Sequence, residues 1–405
     1  MGWALWQDDG VIERRRRTVV VGGGVAGCVL ASRLSRVDDV VLIEAGSRVD
    51  AASVPVDVHA ALATPGLTWP GVEARRVAGG PMVAYPVARG VGGGSLVNGL
   101  VVDGPSGPLV AEEVGANEFG PVDRVLVAGL EARAVRLSRR RGMRAAASNV
   151  DLEAIDLRHG ATVDGLVVDG GRAVGVEIAV GDGGTVVEAD RVVLAAGTFA
   201  SPRILLAAGL GGPAVGCGVQ DHPSVVLPLD GPGQFDGPVS GAVARFDGIE
   251  VLALNRLPDG RCGVAVALVD PASRGRVTIE EIDLNLLDEH TDDLARLTAG
   301  VSVVIGRLRD VLAAEGLAFA DELPKLGDIS LLRDWVRSQV ATADPVYSHA
   351  AGSCSRAVVD ERHAVGGVEG LLLVDASTLP GVPTGSMMNA ILDQVDVVSG
   401  RWMSG

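Results

Sequence analysis

Thr18-Val19-Val20-Val21, followed by Gly22-Gly23-Gly24-Val25-Ala26-Gly27, reads as a strand buried on both faces that turns through glycines into a helix. Val25 to Arg36 carries Val29, Leu30 and Leu34 at helical spacing, and Val40-Val41-Leu42-Ile43 supplies a second strand. Together they close a βαβ unit of about 30 residues. Glu44 ends the second strand, about 20 residues past the central glycine, where an acid can accept both hydroxyls of a ribose. Gly22, Gly24 and Gly27 allow close backbone approach, and the helix start at Val25 and Ala26 turns its partial positive charge toward phosphates. The unit is expected to seat a dinucleotide. The alternative is a glycine-rich turn in some other α/β unit.

A second stretch returns to the same ligand. Val192-Val193-Leu194-Ala195-Ala196 is a hydrophobic strand ending in Gly197-Thr198-Phe199-Ala200-Ser201-Pro202, a Gly-Thr turn with a helix behind it. Residues 160–190 read as a small antiparallel region: Ala161 to Val168, Ala173 to Val180 and Thr185 to Glu188, with turns at Asp169-Gly170-Gly171 and Asp182-Gly183-Gly184. Residues 240–285 are strand-rich, and Asp292 to Ala314 has helical apolar spacing. A Gly/Pro-rich piece at 228–238 is a candidate domain junction, and Met1 to Ile12 fits no element and is expected to be a disordered tail.

At 405 residues and 47% hydrophobic, the chain has room for a large core and two domains. A net charge of −16, with Lys325 the single lysine beside 34 arginines, argues against a nucleic-acid partner. Arg14-Arg15-Arg16-Arg17 resembles the basic start of a leader, but cleavage after the apolar stretch would remove the glycine fingerprint. No apolar run reaches the roughly 20 residues needed to span a bilayer, so no membrane anchor is expected. Cys28, Cys217, Cys262 and Cys354 are too scattered for a disulfide framework or a metal pair, which points to reduced thiols, a cytoplasmic setting and no metal. At 3% aromatic residues, a cage for a cationic substrate is poorly supplied.

Six stretches in order resemble the glucose–methanol–choline (GMC) oxidoreductase family over most of the chain. Arg89-Gly90-Val91-Gly92-Gly93-Gly94-Ser95-Leu96-Val97-Asn98-Gly99 is similar to the first family signature, with Gly94 where serine or cysteine is usual. Gly197 to Leu210 is similar to the second, with Ala208 in place of serine. Gln220-Asp221-His222-Pro223, Pro271 to Val277, Ser348-His349-Ala350-Ala351-Gly352-Ser353-Cys354 and Asp375-Ala376-Ser377-Thr378-Leu379-Pro380 complete the series.

The resemblance implies an α/β fold: a Rossmann-like FAD-binding domain of GMC type with a second, shortened α+β domain built on an antiparallel sheet. Residues 16–110, 150–235 and 345–405 are assigned to the FAD-binding domain, 111–149 and 236–344 to the substrate-binding domain, and 1–15 to the tail. It implies FAD contacts from Gly22, Gly24, Val25, Ala26, Gly27, Glu44, Ala45, Arg89, Gly92, Gly93, Gly94, Asn98, Val163, Ala196, Gly197, Ser201, Asp375, Ala376 and Met387. Ala60 to Arg158 contains neither histidine nor cysteine, so the usual covalent flavin attachment lacks a residue and FAD is expected to bind non-covalently.

Alcohol oxidation by hydride transfer to flavin N5 needs a base for the hydroxyl proton and a second polar group to fix the oxygen. His349 lies where the family has its catalytic histidine; a satisfied core histidine is the alternative. The second group is where the sequence departs from the family. Counting from Asp375 puts Ser386 at that place, whereas Asn389 is the usual chemical type three residues late, so the choice stays open. The backbone N–H groups after Ser386, at a helix start, are candidates for holding the flavin O2 region. Asp221 and His222 are read as buried turn-stabilising residues or cofactor contacts, and are left out of catalysis.

After Asn98 the chain passes to Val101-Val102-Asp103-Gly104-Pro105 without the acidic–aromatic stretch of most relatives, and the two signatures lie about 100 residues apart. A trimmed lid implies a wide flavin face for a bulky alcohol or a large electron acceptor. A compact subgroup with this build serves mycofactocin, and the arginine-over-lysine skew suits a GC-rich genome. The expectation is a dehydrogenase passing electrons to a quinone or respiratory component, with reduced mycofactocin as a candidate substrate and contact at the membrane surface. The alternatives are an alcohol oxidase using O2, a non-redox lyase of the same fold, and a degenerate flavin-binding protein.

Overall fold

The computed structural model describes residues 14–102, 111–180, 183–231, 235–324, 328–344, 346–355 and 357–403. The tail at Met1–Ile12, Asp103-Gly104-Pro105, Asp182 of the predicted turn, residues 232–234 of the candidate junction and Lys325 lie outside these.

The predicted βαβ unit is the centre of a five-stranded parallel sheet. In spatial order its strands are Asp156–His159, Asp39–Glu44, Arg17–Val21, Arg191–Leu194 and Leu371–Leu373. Alternation along each strand sends neighbouring side chains to opposite faces. Val20, Val193 and Leu372 meet Leu30 and Leu34 of the Val25–Leu34 helix and Val395 and Val398 of the Met387–Met403 helix. Val19, Val21, Val192 and Leu194 meet Leu205 of the Gly197–Ala207 helix and Val176 and Ile178 of a three-stranded antiparallel sheet. That sheet comprises Val163–Asp169, Arg172–Val180 and Gly183–Glu188. Both faces are therefore dry, which is why the strands read as unbroken apolar runs.

At the other end of the central strands, buried Asp38 pairs with Arg191, and both share the Thr18 hydroxyl. The basic run is tied down beside it. Arg15 donates to the carbonyls of Ser35 (2.6 Å) and Asp38 (2.9 Å), and the Arg17 backbone N–H donates to Asp190 (2.7 Å).

The second body is a six-stranded antiparallel sheet ordered Ala318–Phe319, Ser224–Asp230, Cys262–Leu268, Ile249–Leu254, Ala242–Phe246 and Arg133–Ala134. The helix at Asp293–Leu312 buries Leu294, Leu297, Val301, Val304 and Leu308 against it, on the spacing read in the sequence. Ser224–Asp230 corrects the assigned boundary. Placed with residues 150–235, the strand instead pairs along its length with Cys262–Leu268, because its alternating Val225, Leu227 and Leu229 belong to this core. A smaller mixed sheet runs Cys217–Val219, Gly275–Val277, Ile282–Asp283, Glu73–Arg75 and Met82–Ala84, joining segments assigned to both domains.

Candidate functional site

The carboxyl ends of the parallel strands converge on two buried carboxylates. Glu44, at the end of Asp39–Glu44, accepts the backbone N–H of Gly23 (2.8 Å), Gly46 (2.7 Å) and Gly90 (3.0 Å). A carboxylate has about four acceptor positions, so three are filled from within and one remains for a ligand hydroxyl, not the two the sequence reading allotted. Asp375, just past Leu371–Leu373, accepts from the Ser201 hydroxyl (2.6 Å) and from the N–H of Gly197 (2.8 Å) and Ser377 (2.8 Å). Each acid fixes a glycine turn to the end of a strand.

The first glycine turn packs against the signature loop. The Gly92 N–H donates to Gly23 O (2.7 Å), and a Cβ on Gly93 would sit 2.6 Å from Gly24 Cα. A Cβ on Gly27 would lie 1.9 Å from Gly22 O, so helix and strand need glycine there to close up. Gly24 differs: a Cβ there would meet nothing within 4 Å, and the same holds at Gly94 and Gly197. Gly24 caps the Val25–Leu34 helix with no side-chain cap, and no acidic residue lies in its first turn. The N–H groups of Val25, Ala26 and Gly27 are thus open to an anion at the positive end of the helix. Glycines that serve packing stand beside glycines that face open space, and this arrangement fits a dinucleotide pyrophosphate.

The His349 loop is stitched to the Gly197 and Asp375 turns. Thr198 Oγ1 donates to Ala350 O (2.5 Å), Ser353 Oγ to Thr198 O (2.6 Å), Gly352 N–H to Ala376 O (3.0 Å) and Cys354 N–H to Ser377 O (2.7 Å). Asp221 completes the mounting by accepting the N–H of His349 (3.0 Å) and His222 (2.7 Å) and the Tyr85 hydroxyl. Burial pushes the Asp221 carboxyl up to about 6, against these hydrogen bonds and the nearby Arg76 cation.

Around His349 three rings meet edge to face. His222, Tyr347 and His349 have centroids 5.3 to 5.5 Å apart. His222 Nε2 lies 3.2 Å from Pro383 O, so it carries the proton. His349 Nδ1 is buried without a hydrogen-bond partner among the described residues. Burial drives the His349 imidazole down to about 4, opposed by the charge of Glu250. Glu250 is itself buried, accepting the Tyr347 hydroxyl (2.5 Å) and Arg245 Nε (2.6 Å). Burial and the neighbouring His349 take His222 down to about 3. The ring of His349 is neutral at pH 7, and its loop is held through the backbone N–H on Asp221.

Ser386 precedes the Met387–Met403 helix and accepts the Asn389 N–H weakly (3.4 Å), the geometry of a helix cap. Met387 and Ala376 pack in one apolar cluster with Ala351. Ser201 is fully buried, holding Asp375 and accepting the Ala196 N–H (3.1 Å), so it shapes the turn from within. Val163 is half-buried, packing against the core beneath the antiparallel sheet. Arg89 donates to Ala45 O (3.2 Å) and lies over the Trp69 ring.

Sequence reasoning missed Tyr85, Tyr347, Glu250 and Arg144. The two tyrosines carried a usable signal: the chain has only two, and both stand around His349. Arg144, one arginine among many, carried none.

Comparison with known proteins agrees with this geometry. Residues 131–224 and 271–392 match models of the N- and C-terminal parts of GMC oxidoreductases. A 5-(hydroxymethyl)furfural oxidase of Methylovorus sp. (strain MP688) is 27% identical over 504 residues, covering 90% of this chain and 94% of that one. Among solved structures, pyridoxine 4-oxidase from Mesorbium loti superposes with a TM-score of 0.83 at 21% identity, covering 96% of this chain and 99% of that one. A fungal aryl-alcohol oxidase superposes at 0.77 with 15% identity, covering 97% and 100%. These two likenesses concern the fold.

Proposed function

The chain belongs to the GMC oxidoreductase family, and on that premise we propose that it oxidises a primary or secondary alcohol with His349 as the base and passes the electrons to an acceptor other than oxygen. Bound FAD supplies the hydride acceptor. The observation that carries the reading is the state of His349: a neutral imidazole with an unengaged buried nitrogen, held by its backbone on Asp221 and stitched to the cofactor turns.

His349 takes the hydroxyl proton as the carbon is oxidised, and Glu250, behind Tyr347, favours the resulting imidazolium. Tyr85 and Asp221 keep the loop in register without touching the substrate. The positive end of the helix beginning at Met387 favours negative charge that develops near it. Binding is non-covalent in this reading, since Ala60 to Arg158 lacks histidine and cysteine. Acid precipitation should release all flavin to the supernatant; flavin retained on the polypeptide would refute this.

A bulky alcohol, reduced mycofactocin foremost, and a quinone or respiratory acceptor are the proposed partners. The compact build supports this, because 90% of this 405-residue chain is spread over a 504-residue alignment with the furfural oxidase. A second reading, an oxidase that returns electrons to O2, is favoured by the names of the three relatives. Anaerobic reduction by alcohols followed by exposure to air decides between them. A flavin band that recovers over minutes supports the dehydrogenase, and recovery within seconds establishes the oxidase.

A further inference from the structure

Arg144 is 2% exposed and stands below the signature loop. Its Nη1 donates to Asn98 Oδ1 (2.8 Å), Asn98 O (2.9 Å) and Ser95 O (3.4 Å). Its Nε and Nη2 donate to Pro55 O at 3.1 and 2.8 Å, and Nη2 reaches Val56 O at 3.4 Å. All of these acceptors are carbonyl oxygens. No carboxylate among the described residues pairs with the guanidinium, and Asp57, the nearest acid to act on it, is engaged with Arg256.

Two consequences follow from chemistry alone. A side-chain amide has an oxygen face and an NH2 face, and Arg144 can engage only the oxygen. Asn98 is therefore locked with Oδ1 toward Arg144, also accepting the Leu100 N–H (3.3 Å), and its Nδ2 points away with two donors uncommitted to described residues. A buried cation without a counter-ion is also costly, unless an anion settles near it. The loop it supports is the one whose Gly92 and Gly93 pack on the Gly23-Gly24 turn.

We propose that Arg144 is a positioning residue for FAD, fixing the Asn98 amide so that its NH2 donates to the flavin while the guanidinium keeps a positive charge beneath the loop. This rests on the reading that Gly92 to Asn98 faces FAD.

The test uses the full chain, stripped of flavin and titrated with FAD by fluorescence, with thermal melts alongside. Asn98→Asp keeps an acceptor for Arg144 and gives it an ion-pair partner, but it loses the NH2. The melt of the apoprotein should hold or rise while FAD affinity drops roughly tenfold, the size of one lost buried hydrogen bond. Arg144→Met should weaken FAD by a similar factor in the wild-type background. In an Asn98→Ala background, with no amide left to orient, the same change should cost less than about threefold. Arg144→Lys, which keeps the charge but only a single donor nitrogen, should recover part of the affinity and keeps the test open if the methionine variant does not fold.

Equal losses from Arg144→Met in both backgrounds overturn the proposal, leaving Arg144 a packing residue. So does full FAD affinity in Asn98→Asp. A wild-type chain that takes up no FAD overturns the reading beneath it and the proposal together.

Discussion

The cradle's two carboxylates and the imidazoles around His349 are handled in contrary ways. In the cradle, Glu44 and Asp375 each accept three hydrogen bonds from the protein itself, so the glycine turns are set before any ligand arrives. Around His349, His349 Nδ1 and His222 Nδ1 are buried without a hydrogen-bond partner among the described residues, and both rings are kept neutral by burial. Satisfied carboxylates give shape, whereas an unsatisfied imidazole keeps its capacity for a substrate proton. Binding and chemistry are thus separable in this molecule, and substitutions should separate them.

The largest separation is expected at His349. His349→Asn should lower kcat by about 10²- to 10⁴-fold, the usual worth of a positioned base. FAD content and melting temperature should stay close to wild type, because the loop is held by its backbone on Asp221. Loss of flavin together with activity would show that the histidine belongs to the cradle after all. Next in size is the contrast between two glycines of one turn. Gly27→Ala forces a Cβ to within 1.9 Å of Gly22 O and should destabilise the fold by about 3 kcal/mol, as overpacking does. Gly24→Ala places its methyl in open space at an ordinary φ of −74°, so stability should change by less than about 0.5 kcal/mol while FAD affinity falls at least tenfold. Equal melting temperatures for the two variants would break the distinction between packing glycines and ligand-facing ones.

The acid limb of the pH profile is a smaller and more specific test. Burial holds His349 near 4, so protonation of the base should lower kcat/KM as pH falls through 4, as a step separate from any set by Asp221 near 6. Glu250→Gln removes the one charge that favours the imidazolium and should move that limb to lower pH. The stability sign is opposite to that of a paired histidine. The folded pKa lies below the unfolded value near 6.5, so this residue's contribution declines as pH falls from 6.5 toward 4 and levels off below.

The cradle was legible because its chemistry is written in backbone: glycines at fixed offsets, apolar strands and an acid at a strand end survive translation into a string of letters. What surrounds His349 was not. Glu250 is the second residue of Ile249–Leu254, a fully buried strand of the other body, and only its pairing with Tyr347 and Arg245 in the fold reveals a purpose for a carboxylate there. Asp221 and His222 were noticed but left out of catalysis; in the fold Asp221 carries the His222 and His349 N–H groups. Ser224–Asp230 was misassigned because a boundary drawn on glycine and proline content cannot see which sheet a strand joins.

At Ser386 the expected effect is smallest. Its hydroxyl faces the Asn389 N–H at 3.4 Å, at the start of a 17-residue helix whose first turn has no acidic residue to assist it. A cap of that length is weak, so Ser386→Ala should cost at most about 1 kcal/mol of stability. If capping is its whole role, kcat should stay within about threefold and the acid limb should not move. Asn389, one turn into the same helix, would then be left as the polar group that fixes the substrate oxygen, and Asn389→Ala should raise KM and lower kcat together. A tenfold loss of kcat in Ser386→Ala with an unchanged melt would reverse the assignment: the hydroxyl would belong to the polar groups around His349, and the helix start would be capped by nothing that matters to its stability.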